Sequence, residues 1–217
     1  MNSLNSYLNQ SKCDCFHISV NSKVKRLTDI LGAIVGVIIT AIIFLPIAIL
    51  ITLDSPGPVL YRQTRCGLNG KTFTIWKFRS MVKHADSQKH LVKNQAQGHI
   101  FKNDQDPRVT RVGKFLRKTS LDEFPQFWNV LRGDMSLVGT RPPTPHEVEN
   151  YNERHHLRLR VKPGLTGEWQ VRGRSSISDF EEIVSLDLEY QAKWSIWYDW
   201  FLILKTIQII FQCKGAY

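Results

Sequence analysis

The longest feature of the hydrophobic pattern is a run of 24 residues, 30–53, "ILGAIVGVIITAIIFLPIAILITL", with no charged side chain. As one helix it measures about 36 Å, enough to cross a hydrocarbon core of about 30 Å. A polar leader precedes it and no small-residue cleavage pattern follows, so it reads as a membrane segment and not a secretory signal. Its flanks argue against a simple crossing. Lys23, Lys25 and Arg26 lie before it and Arg62, Arg65, Lys71, Lys77 and Arg79 after it, and cationic flanks favour the cytoplasmic side. Pro46 lies within the run and crowds the carbonyl of Ile42. These features predict a re-entrant helix, broken near Pro46, with both ends on one face; the competing reading is a single kinked span.

Past the turn signal "DSPGPV" the period shortens to two. "VLYRQTRCGLNGKTFTIWKFRSM" reads as two strands around Asn69-Gly70, a hairpin cue. Residues 82–106 read as charged and helical, then as loop. "RVTRVGKFLRKTS" repeats at helical spacing, with Val109, Val112, Phe115 and Leu116 on one face. "EFPQFWNVLRG" predicts a helix, "MSLVG" a short strand, "RPPTPHEVENYNERHHLRLRV" a turn into a helix, and "KPGLTGEWQV" a strand region. The C-terminal part predicts two helices. In the last, Trp194, Trp197 and Trp200 recur every three residues, which suits either an in-plane helix at a membrane interface or a stripe packed on the core. The fold class is mixed α/β, mostly helical: a leader at 1–22, the membrane segment at 23–54, and a small domain with interfacial helices at 55–217.

Composition narrows the partners. A formal charge of +10 over 217 residues and a pI near 9.6 favour anionic partners: nucleic acid, an anionic membrane or a phosphorylated substrate. Cys13, Cys15, Cys66 and Cys213 form no CxxC pair and no zinc spacing with histidine, in keeping with a reduced compartment.

Candidate chemistry centres on "KTSLDEFPQ". Ser120-Leu121-Asp122-Glu123 has the form of a capping box, and acids in a first turn suit the helix dipole. Asp122 and Glu123 also suit a nucleophile beside a Mg²⁺ ligand, a reading that the neighbouring cations favour. Around them stand phosphate-binding types: Lys77 and Arg79 of "KFRSM", alternating to one face of a strand, Arg141 of "GTRPP", and Lys114, Arg117, Lys118 and Arg132. Adjacent carboxylates diverge by about 100° on a regular helix, so both address one centre only near an irregular start, which Pro125 can supply.

The ordered segments "SPGPVLYRQTRCGLNGKTFTIWKFRSM", "DPRVTRVGKFLRKTSLDEFPQFWNVLRGDMSLVGTRPP", "KPGLTGEWQVRGR" and "DLEYQAKWSIWYDWFLILKT" resemble the bacterial sugar transferases, the monotopic phosphoglycosyl transferases. The resemblance implies transfer of a sugar-1-phosphate from a UDP-sugar to undecaprenyl phosphate, with release of UMP, at the cytoplasmic face of the bacterial inner membrane. It implies Asp122 as nucleophile in a ping-pong reaction, Glu123 as a Mg²⁺ ligand, Lys77, Arg79 and Arg141 on substrate phosphates, and Pro46 at the helix break. Leu45 stands where several relatives have serine, and Glu168 where a hydrophobic residue is common. Without a multi-helix membrane region ahead of it, the chain reads as a minimal catalytic unit of exopolysaccharide, capsule, O-antigen or glycan synthesis. Neither the sugar nor the oligomeric state is readable, a homodimer being one option, and no nucleic-acid partner is implied. The competing class is a membrane-anchored basic adaptor for anionic lipid or nucleic acid, which leaves the ordered motifs unused.

Overall fold

The computed structural model describes residues 16–173 and 177–211. Cys13, Cys15 and Cys213, and the first fifteen residues of the expected leader, lie outside them. The rest of that leader forms a short helix and its caps. α1 (Ile18–Asn21) is capped by His17, whose amide donates to the Arg160 carbonyl at 3.2 Å and whose Nε2 lies 2.9 Å from the Gln191 carbonyl oxygen.

α2 (Lys23–Asp54) is the apolar helix, with Ser22 as its N-cap. Pro46 does not divide it: the helix runs through the proline uninterrupted, and the expected break is corrected. The reason lies in what the helix rests on. Lys25, Asp29, Ala33, Gly36, Thr40, Ile43, Ile47, Ile51 and Asp54 recur at three- and four-residue spacing and all face the domain. Contacts on both sides of Pro46 offset the bond it removes, a loss of about 3 kcal/mol in an unsupported helix. At Gly36 an added Cβ would lie 2.2 Å from the Phe127 ring, so only glycine lets the ring dock there. Val24, Leu27, Leu31, Val35, Ile38, Ile42, Leu45, Ile49 and Leu53 line the opposite, exposed face. Among the described residues this is the one helix long and apolar enough to cross a membrane.

The hairpin forms as its pattern predicts. β1 (Leu60–Cys66) pairs antiparallel with β2 (Thr72–Phe78), from Leu60 opposite Phe78 to Cys66 opposite Thr72. Asn69 and Gly70 turn the chain with positive φ. Residues 82–106, expected to begin as helix, form turns with one 3₁₀ turn at Lys89–Leu91. His84 and Gly98 have positive φ, and the Asn94 side chain binds the Ala96 and Lys102 amides and the Ile100 carbonyl. Such local side-chain bonds compete with a helix ladder.

α3 (Arg111–Lys118) leads through a 3₁₀ segment, Leu121–Gln126, into α4 (Phe127–Arg132). β3 (Ser136–Val138) pairs in parallel with β4 (Gly164–Thr166). Between them the predicted single helix is three pieces: α5 (Pro145–Glu149), with a Thr144–Glu147 capping box, α6 (Glu153–His156), and a 3₁₀ turn at Leu157–Arg160. Asn150 ends the first and Asn152 caps the second. α7 (Glu168–Gly173) takes up the last four residues of the expected strand region. α8 (Phe180–Lys193) and α9 (Ile196–Phe211) close the chain.

The three tryptophans do not share one setting. Trp194 precedes α9 and donates to Asp199 at 3.1 Å, while Leu202 is buried with Val138 and Tyr190. Trp197, 71% exposed, points outward with Trp200, Phe201, Leu204 and Ile207. The Trp200 indole reaches Thr28 on α2 at 3.4 Å, so the outward faces of the two helices adjoin.

Candidate active site

A cleft of about 820 Å³ opens between the hairpin, the 3₁₀ segment and residues 82–106. Asp122, Glu123, Lys77, Arg79 and Arg141 all line it. Pro46 stands apart, in α2.

The carboxylates owe their placement to a strained start. Ser120 has φ 56° and ψ 16° and makes no side-chain capping bond, so the capping-box form of the sequence is not realised. A non-glycine residue in this region costs about 1–3 kcal/mol and is held there by its surroundings. The chain then winds as 3₁₀ with Pro125 inside it, and this irregular turn brings Asp122 and Glu123 to one cleft. Asp122 is 5% exposed, on the cleft floor beside buried Gln126. The Glu123 Oε1 lies 3.0 Å from the Lys77 ammonium.

The predicted cations separate in role. Lys77 projects from β2 to Glu123. Arg79 lies one residue past the strand, and its guanidinium turns from the carboxylates to the end of α2. There it donates to the carbonyls of Pro56 (3.2 Å), Ile51 (3.5 Å) and Ser55. The negative dipole end of a long helix attracts a cation, and burial lowers the guanidinium's pKa. Arg141 extends into the cleft over Trp169, 5.9 Å from the ring centroid, tethered to Glu147 at 3.2 Å. Arg117 also lines the cleft and donates to Ser80 at 3.0 Å, whereas Arg132 lies outside on Asp134.

Three cleft residues were not singled out by sequence. Arg65 donates to the Pro142 carbonyl at 3.0 Å and to Gln63 at 2.6 Å. Burial, then the Arg141 charge beside it, pulls its pKa down to about 10. Two cations held close in a cleft suit a dianionic guest. Gln126 and Trp169 complete the set. The available signal was the alternation of Tyr61, Gln63 and Arg65 on one face of β1, all three of which line the cleft.

Among the described residues no three His, Cys, Asp or Glu side chains form a ready metal cage. Mg²⁺ does not require one, since it is commonly held by one or two carboxylates, water and substrate phosphates. Asp122 and Glu123 on one cleft fit that donor set.

Residues 20–213 match the family of bacterial sugar transferases. The chain is 51% identical to the galactosyl transferase CpsE of Streptococcus agalactiae over 88% of this chain and 43% of that protein. It is 43% identical to the UDP-glucose:undecaprenyl-phosphate glucose-1-phosphate transferase of Escherichia coli K12, over 91% of this chain and 42% of that protein. The exopolysaccharide production protein ExoY of Sinorhizobium fredii is 39% identical over 89% of this chain and 88% of its own length. The chain thus spans just over two fifths of the longer relatives and most of the short one.

Proposed function

Because the chain belongs to the family of bacterial sugar transferases, we propose that it moves a sugar-1-phosphate from a UDP-sugar to undecaprenyl phosphate and releases UMP. The observation that carries this reading is the convergence of Asp122, Glu123, Lys77, Arg65 and Arg141 on one cleft.

In the proposed sequence an Asp122 oxygen attacks the β-phosphorus of the UDP-sugar. The bond from that phosphorus to the bridging oxygen breaks, and UMP leaves with the electron pair. An oxygen of the lipid phosphate then attacks the same phosphorus. The aspartyl–phosphorus bond breaks, giving the lipid diphosphate sugar and the free carboxylate. Arg65 and Arg141 hold the donor's phosphates, and Lys77 keeps Glu123 directed into the cleft. Mg²⁺, held by Glu123 and the substrate phosphates, would neutralise charge that builds on the diphosphate. Covalent capture lets a soluble donor and a lipid acceptor use one cleft in turn.

The membrane seat is part of the proposal. α2 offers its outward apolar face, continuous with that of α9, to the cytoplasmic leaflet of the inner membrane. Both ends of α2 are tied to the domain, Lys25 to Asp199 and Asp54 to the Val112 amide, which supports same-side flanks. Cysteines introduced at Lys23 and Pro58 should label from the cytoplasmic side alone; labelling of the two from opposite sides would establish a span and end the monotopic reading.

The reaction is tested by UMP release from a panel of UDP-sugars, with Mg²⁺ and undecaprenyl phosphate. Release with at least one sugar, abolished by chelation, is expected; no release with any sugar from folded protein would overturn the assignment.

A further inference from the structure

The C-terminal end of α2 is locked to the cleft from two directions. Arg79 reaches back from β2 to the carbonyls of Ile51, Ser55 and Pro56. Asp54 reaches forward, its Oδ2 accepting from the Val112 amide in the first turn of α3 at 2.9 Å. The circuit closes through Ser80, the residue after Arg79: its carbonyl accepts from the Thr110 amide at 3.1 Å and its hydroxyl from Arg117 at 3.0 Å. One branch of this circuit carries Lys77, two residues before Arg79. The other leads along α3 to the 3₁₀ segment that carries Asp122.

Space has been made for the lock. Gly57 has φ +134°, and a Cβ added there would lie 2.2 Å from Arg79 Nη1. The guanidinium lies in a slot beside a residue that has no side chain, and the residue as a whole is buried. To meet a phosphate beside Glu123 it would have to abandon the Ser55 and Pro56 carbonyls, just past the end of the 32-residue helix.

We infer that Arg79 is a positioning residue and not a phosphate ligand: with Asp54 and Gly57 it fastens the end of the apolar helix to the two segments that bear Lys77 and Asp122. The catalytic side chains thereby take their position from the helix. Loosening the lock lowers the rate of a bound donor without weakening its binding, since misplacement of reacting groups by about 1 Å costs on the order of 10²-fold.

The kinetic part rests on the proposed transferase reading; the lock itself does not. Arg79→Lys, which cannot fork between carbonyls, and Gly57→Ala, which intrudes on the guanidinium, are compared with wild type in the full chain. UDP affinity by calorimetry should stay within about twofold, while kcat for UMP release falls roughly tenfold or more. Hydrogen exchange should quicken in both variants at the amide of Ser55, which donates to the Ile51 carbonyl that Arg79 also contacts, and at that of Val112, which donates to Asp54. Loss of UDP affinity in Arg79→Lys with a wild-type Gly57→Ala would make Arg79 a phosphate ligand and overturn the inference. So would unchanged exchange at both amides. If wild type itself turns over no UDP-sugar, the transferase reading fails, and the exchange experiment still decides the lock.

Discussion

Two lysine–carboxylate pairs of the same chemistry lie in different settings. Lys25 and Asp199 meet at 2.6 Å with side chains 8% and 3% exposed; Lys77 and Glu123 meet at 3.0 Å with 25% and 20% exposed. The first pair is closed. The Lys25 ammonium also donates to the Val138 carbonyl and the Tyr190 hydroxyl, and Asp199 accepts from Tyr190 and Trp194. It joins the start of α2 to α9, and nothing in it is left for a ligand. The second pair borders the cleft, where a guest phosphate can compete for the lysine and a metal for the carboxylate. A buried pair holds the fold because breaking it strands a charge; a half-open pair contributes little to stability and is available for chemistry.

The sharpest way to break that contrast is at the proposed nucleophile, in the cleft beside the second pair. Asp122→Asn should lower UMP release by about 10³-fold or more, a barrier increase of roughly 4 kcal/mol. Wild-type-like release would remove Asp122 from the reaction. Next in size, Lys25→Met should cost about 3–5 kcal/mol of stability in denaturant titration, because Asp199 is left buried and unpaired. A loss below about 1 kcal/mol would show the sealed pair to be dispensable. Lys77→Met should reverse the pattern, with turnover down about 10²-fold and stability changed by less than about 1 kcal/mol. Equal effects of the two lysine variants on stability would erase the distinction.

The smallest effect concerns pH. Bonds from the Thr110 hydroxyl and then the Val112 amide hold the Asp54 carboxyl below its ordinary value of 3.8. A folded-state pKa lowered in this way adds stability that is fully present above the ordinary carboxylate range and is lost as pH falls through it. The Tm difference between wild type and Asp54→Asn should therefore shrink on going from about pH 6 to about pH 3. A difference independent of pH would show that the carboxylate makes no charge-assisted bond.

How far the sequence reached depends on whether a local rule decided each element. The hairpin was legible because period two and Asn69-Gly70 agree, and α3 because its apolar positions recur at helical spacing. Residues 82–106 were not, since the Asn94 side chain and the positive φ of His84 decide their path, and charge content does not report on either. The three segments from Pro145 to Arg160 were merged because Asn150 and Asn152 divide a pattern that otherwise reads as one helix. At Pro46 the local rule was right about the missing donor and wrong about the outcome, because docking along the whole of α2 is a tertiary fact.

The candidate site was legible as a set of residues, though not as a set of roles. Asp122, Glu123, Lys77 and Arg141 came from their types and neighbourhood, and the irregular start that unites the carboxylates was foreseen from Pro125. Its cause, the left-handed Ser120, was not. Arg79 was placed with the phosphate binders because alternation on a strand implies one face. The strand ends at Phe78, and the guanidinium donates instead to the Ser55 and Pro56 carbonyls just past α2.

The most direct measurement is the intact mass of the protein after incubation with Mg²⁺ and an accepted UDP-sugar, without lipid acceptor. The proposed mechanism predicts a mass increase of one sugar phosphate, absent in Asp122→Asn and discharged on adding undecaprenyl phosphate. An unmodified wild-type mass under conditions where UMP is released only with acceptor present would contradict the covalent route and favour direct transfer.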